Sequence, residues 1–198
     1  MVMKRNVWLG YLIALLILTL YGCGGLRYSQ AAPEAKDFHP KTIGVLPADV
    51  GTYEEARGVI DQIIANELVN RKWFDDVVAA DALNRQLQFN ADFRNLVIDY
   101  KAKLKTVNFS DPEISKKIGE MAKIDAFLVV NVDYWNYTME NKDKIAKVGM
   151  GINMVDANTG KILWKASHHI IEDYWVIKPE LSKVAKKLAA MMIDEMPH

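Results

Sequence analysis

The sequence predicts one α/β domain, a mixed sheet with a C-terminal antiparallel hairpin flanked by helices. Three observations carry that expectation. Short apolar runs ending in turn residues alternate with stretches of helical periodicity between Lys41 and Ala122. Phe127-Leu128-Val129-Val130 is apolar at every position, as a strand covered on both faces must be. Two β-rich segments flank the turn pentad Asp156-Ala157-Asn158-Thr159-Gly160, where Gly160 suits a positive φ.

The elements follow in order. Lys41-Thr42-Ile43-Gly44-Val45-Leu46-Pro47 reads as a strand ended by a proline that cannot donate to a ladder. Thr52 and Glu55 form a T-x-x-E capping box ahead of Ala56, Ile60, Ile63, Ile64 and Leu68, so a helix is expected to end near Trp73. Phe74–Ala79 favours β structure, and Asp81 is placed to cap a brief helix through Leu83 and Leu87. Phe93, Leu96, Val97, Tyr100 and Leu104 form a helical stripe between Gln88 and Thr106, with Lys101, Lys103 and Lys105 towards the end that favours cations. Ser110-Asp111-Pro112-Glu113 combines a second capping box with a first-turn proline, and Ile114, Ile118 and Met121 follow on one side. The central strand runs from Phe127 to Trp135, and residues 136–144 are expected to connect it to Val148–Met154 as a loop. In that next strand Gly149, Gly151 and Asn153 leave one face bare, open to a helix, a close backbone or a partner strand. Lys161–Ala166 completes the hairpin, and Pro179-Glu180 opens a terminal helix with Leu181, Val184, Leu188, Met191 and Met192 along one stripe.

Composition narrows the function. The chain has 198 residues, 51 % hydrophobic and 25 % charged, which is ordinary for a globular domain. Lysine plus arginine equals aspartate plus glutamate at 25 each, so the broad basic field of a nucleic-acid binder is missing and no nucleic acid partner is expected. A single cysteine excludes an internal disulfide, and the four histidines show no metal-binding spacing. His168 and His169 are adjacent on a strand and point to opposite faces. No nucleophile elbow, P-loop or dinucleotide turn occurs, so neither a catalytic residue nor a cofactor is expected and the protein is read as no enzyme.

Lys4 and Arg5 precede an apolar run from Val7 to Tyr21, the layout of a signal peptide over residues 1–22. Those fifteen residues rise only about 22 Å as a helix, short of a hydrocarbon core of about 30 Å. Leu20-Tyr21-Gly22-Cys23 resembles the bacterial lipobox, with Tyr21 at a place usually held by a smaller side chain. The resemblance implies cleavage before Cys23, acylation of its sulfur and a stable membrane anchor. Gly24 stands where an inner-membrane lipoprotein often carries aspartate, which implies the periplasmic face of the outer membrane. Residues 23–40 are small and polar, with Pro33 and Pro40, and read as a flexible tether to a domain over 41–198.

Three segments of the domain are similar to the superfamily of envelope lipoproteins that includes CsgG, LpoB and the N-terminal domain of TolB. Ile43-Gly44-Val45-Leu46-Pro47 resembles its first strand, Asp125-Ala126-Phe127-Leu128-Val129 its entry to a central strand, and Val155–Trp164 its "vDaxTGeilw" hairpin. The family glycine before the central strand is Lys123 here, and Ile124 replaces an alanine. The resemblance implies a role in assembling or regulating envelope machinery through an envelope protein partner, with a homo-oligomer possible. Trp135, Tyr137, Tyr174 and Trp175 are the expected partner-binding aromatics. For Trp164 core packing is the stronger reading. Two alternatives stand beside this: a CsgG-like secretion pore, for which only Val148–Met154 approaches the needed strand, and a small-ligand-binding periplasmic protein.

Overall fold

The computed structural model describes residues 26–78 and 80–198. The signal segment and Leu20, Tyr21, Gly22 and Cys23 lie outside the described residues. The strands are β1 (Tyr28–Ala31), β2 (Thr42–Val45), β3 (Asp76–Val78), β4 (Ala126–Glu140), β5 (Asp143–Asp156) and β6 (Ile162–Asp173). They form one mixed sheet in the order β1-β6-β5-β4-β2-β3. β3, β2 and β4 run parallel, and β4, β5, β6 and β1 pair antiparallel. Among the described residues five α-helices accompany it: α1 (Val59–Arg71), α2 (Ala80–Phe89), α3 (Ala91–Val107), α4 (Pro112–Ala122) and α5 (Leu181–Ile193). The α/β fold expected from the sequence is therefore the observed one.

The sheet separates two cores. On one face α1 and α5 pack over β2, β4, β5 and β6, with Ile60, Ile64 and Leu68 from α1 and Val184, Leu188 and Met192 from α5 all buried. Each such side chain contributes about 1.5–3 kcal/mol when fully buried, so the α5 stripe is the chief cover of the long β5–β6 hairpin. On the other face α2, α3 and α4 bring Leu83, Phe93, Val97, Tyr100 and Ile118 against Phe127, Val129 and Val155. The Tyr100 and Phe127 rings meet edge to face with centroids 5.2 Å apart. β4 is thus apolar on both sides at its start because there it lies between both helical layers, as the shorter β2 also does.

Local chemistry sets the joints. The Asp125 carboxylate accepts the backbone N–H groups of Lys41 and Thr42, each at 2.9 Å, and so fastens the entry of β2 to that of β4. Asn90 caps α3 by accepting from the Phe93 N–H at 3.0 Å. Lys123 ends α4 at φ +56°, the left-handed region that glycine adopts most readily.

Four expectations change. The tether is not wholly unstructured, since Tyr28–Ala31 pairs with Ser167–Trp164 as an edge strand and Pro33–Asp37 forms a short 3-10 turn. Its polar side chains hid this, but an edge strand needs only backbone partners and solvent. Thr52 and Glu55 do not cap α1, because Glu54–Ala56 forms a separate 3-10 turn and the helix starts after Gly58 at φ +73°. The cap of α4 is Asp111 rather than Ser110, accepting from Glu113 and Ile114. Residues 136–144 are no loop either: β4 and β5 continue to a two-residue turn at Asn141 and Lys142, both at positive φ as such hairpin turns require.

Candidate functional site

The extension of β4 and β5 places three of the four expected aromatics together at one end of the sheet. Ile145 pairs with Asp173, so Tyr174 emerges beside the hairpin and donates its backbone N–H to the Lys144 carbonyl at 2.9 Å. The Tyr174 ring stands edge-on to Tyr137 with centroids 6.0 Å apart. Tyr137 donates its hydroxyl to the Pro179 carbonyl at 2.7 Å, and the Lys178 ammonium lies 3.5 Å from the Tyr137 ring centroid. Between these fixed points the loop turns Trp175, Val176 and Ile177 outward, at 90 %, 91 % and 86 % exposure. Trp135 does not join them. It is buried with Leu181 and Val184 of α5, because its position two residues before Tyr137 puts it on the same face but under the helix. Trp164 is core, as expected, with its indole N–H donating to Ser29 Oγ at 3.2 Å.

A second region lies on the sheet face that α2, α3 and α4 leave open beyond β4. Asn131, Gly151 and Ser167 lie in one row across β4, β5 and β6, and Tyr134, Gly149 and His169 in another. The glycines make room within the sheet: a Cβ on Gly149 would sit 2.7 Å from Tyr134 Cδ2, and one on Gly151 2.6 Å from Asn131 Oδ1. The bare stripe is therefore filled by side chains of the adjoining strand. The two histidines keep separate partners, His168 Nδ1 accepting from the Arg27 N–H at 3.0 Å and His169 packing edge-on to Tyr134. Burial, then the nearby Lys147, lowers the His169 pKa.

Where this face meets α3 there is a cleft of about 320 Å³ lined by Asp49, Lys101, Lys105, Asn131, Asp133 and Asn153, among others. Lys105 Nζ lies 2.6 Å from Asp49 Oδ2, and this hydrogen bond holds the Asp49 carboxyl below the ordinary carboxylate range. Burial pushes Asp133 up, against a hydrogen bond from Asn131 at 2.6 Å. Burial lowers Lys101, whose ammonium donates to the Pro47 carbonyl at 2.7 Å. These groups can hydrogen-bond a polar ligand, and among the described residues no serine, cysteine or histidine lines the cleft. Among the described residues no group of three or more His, Cys, Asp or Glu is placed to hold a metal. Sequence reasoning missed the cleft, because Asp49 and Asn131 meet only through an isolated parallel bridge. The available signal was Asn131 and Asp133, two polar residues inside an apolar strand.

The fold defines a class: an α/β sheet with helices on both faces and a long antiparallel hairpin. No family model matches the sequence, and no curated protein matches it. Solved structures do share the fold. The PelC dodecamer from Paraburkholderia phytofirmans superposes with a TM-score of 0.51 at 18 % identity, over 86 % of this chain and 95 % of that one. Lipoprotein GNA1162 from Neisseria meningitidis superposes with a TM-score of 0.52 at 18 % identity, over 79 % and 97 %. At such identity the likeness is one of fold.

Proposed function

We propose that this chain is a lipoprotein anchored through Cys23 to the periplasmic face of the bacterial outer membrane. It acts by protein contact, as scaffold, regulator or assembly-complex subunit, and catalyses no reaction. The observation that carries this is the Leu20-Tyr21-Gly22-Cys23 tetrad closing a charged, then apolar, leader. The fold shared with Lipoprotein GNA1162 supports it. The dodecameric state of PelC supports self-association as part of the role, and the three matching segments support kinship with the CsgG, LpoB and TolB superfamily. Strand length favours a pore reading more than the sequence did, since β4, β5 and β6 have 15, 14 and 12 residues. Their apolar faces, however, are spent on α5, whereas a barrel strand turns its apolar face to lipid.

The test is Cys23→Ser in the native host, read by membrane fractionation, by the mass of the N-terminal peptide and by crosslinking in whole cells. The expected result is loss of acyl mass, release from the outer membrane, and loss of a discrete crosslinked species that the wild type forms with itself or with one envelope protein. Unchanged retention, or a wild type that gives no discrete species, would remove the proposal.

A further inference from the structure

We infer that the tip Trp175-Val176-Ile177 is a membrane-contact element that inserts into the phospholipid interface beside the acylated Cys23, so that the sheet stands with its β4–β5 turn end on the bilayer. The inference rests on the anchor proposed above and adds the orientation of the domain and a second point of contact.

Three consecutive large apolar side chains at 90 %, 91 % and 86 % exposure stand apart from the scattered single hydrophobics normal on protein surfaces. They are displayed on a framework. Tyr174 before the tip is tied to Lys144, and Pro179 after it is tied to Tyr137, at 2.9 and 2.7 Å. A tip pinned on both sides does not fold back to cover itself.

Topology places the anchor at the same end. β1 runs antiparallel to β6 with Tyr28 opposite Ser167, so the chain before Tyr28 heads towards Asp173. Arg27 lies against His168, and Leu26 packs against the core that α1 and α5 share. Only Gly24 and Gly25 separate Cys23 from Leu26, so the three steps between them reach at most about 11 Å. From His169 to Asp173 β6 advances about 13 Å. Cys23 is therefore held within about 11 Å of Leu26, in the half of β6 that leads to the tip, and a bilayer holding its acyl chains is an apolar phase within reach of Trp175, Val176 and Ile177. Tryptophan with aliphatic neighbours suits the headgroup boundary. The charges around the tip nearly cancel: Lys142, Lys144 and Lys178 face Asp143 and Asp173, one positive charge in excess, while Glu140, Glu172 and Glu180 pair with Lys147, Lys187 and Lys183. Apolar insertion, not attraction to anionic lipid, is the driving term.

The test uses the full acylated chain carrying Val176→Cys or, at the far end of the sheet, Asn158→Cys, each labelled with an environment-sensitive fluorophore. The protein is reconstituted on vesicles of phosphatidylethanolamine and phosphatidylglycerol. Insertion of about 5–10 Å should cut iodide quenching at 176 by at least about threefold and leave 158 unchanged. Brominated lipids should quench 176 alone. An acylated, vesicle-bound protein whose 176 probe stays open to iodide overturns the inference and leaves the anchor standing. A probe open on vesicles but shielded in native envelopes also overturns it, in favour of a protein occupant. An N-terminal peptide without acyl mass sinks the anchor instead. The tip is then judged on the unacylated chain with excess vesicles, where protection at 176 supports it and exposure refutes it.

Discussion

Gly160→Ala tests how the hairpin is locked to the helical layer. Gly160 closes the β5–β6 turn at φ +69°, where an alanine costs about 1–2 kcal/mol. Its carbonyl accepts the Ser110 hydroxyl at 2.5 Å, directly before α4. A Cβ here would lie 2.6 Å from Pro112 Cα and 3.0 Å from Pro112 N, so backbone rather than a flexible side-chain end must move. Carbon atoms rest about 3.5–4.0 Å apart, and opening such a gap costs about 1–3 kcal/mol. The sum is about 2–5 kcal/mol, or a Tm lower by roughly 4–20 °C for a chain of this size. Gly51→Ala is the matched control, since Gly51 has φ +52° but nothing within 4 Å of a Cβ. It should show the conformational part alone. Thermal and urea unfolding of the two variants in detergent, followed by circular dichroism, separates the terms. If Gly160→Ala is no worse than Gly51→Ala, the turn does not bear on α4 as described.

Two further predictions concern the same layer and its edge. Ser110 spends its one hydroxyl proton on Gly160, so the Tyr100 hydroxyl donates to Ser110 Oγ at 2.6 Å, and Tyr100→Phe should cost about 1 kcal/mol at neutral pH. Burial pushes the Tyr100 phenol up to about 12 from 10.0, so its neutral form favours the fold below pH 10 and that contribution is lost as pH rises towards 12. Unfolding midpoints of wild type and variant should therefore converge and then cross within that interval, and a constant gap would contradict the assignment. Lys123→Gly removes a left-handed lysine at φ +56°, and after the entropy glycine returns to the unfolded chain it should gain about 0.5–1 kcal/mol, visible as a higher Tm. A lower Tm would mean that the lysine side chain is needed there.

Periodicity and turn chemistry sufficed for much of the fold. The α5 stripe, the apolar start of β4 and the Asp156–Gly160 hairpin were legible because burial of a helical face, burial of a strand on both sides and a positive φ each leave a local trace in residue type. What failed was local chemistry with more than one outlet: Thr52 and Glu55 had the pattern of a cap, and Asn141-Lys142 lacked the glycine that usually announces a two-residue turn. The candidate contact residues divide in the same way. Aromatic content pointed to Tyr137, Tyr174 and Trp175, but nothing in the sequence says which of two residues on one strand face a helix will cover, and Trp135 went under α5.

The sequence alone thus determined the order of the elements from β2 to α5, a property of neighbours along the chain. Tertiary structure decided the rest. The pairing of Tyr28–Ala31 with β6, the meeting of Asp49 with Asn131 and the exposure of Trp175-Val176-Ile177 depend on which distant segments lie side by side, and that is set by how two helical layers share one sheet.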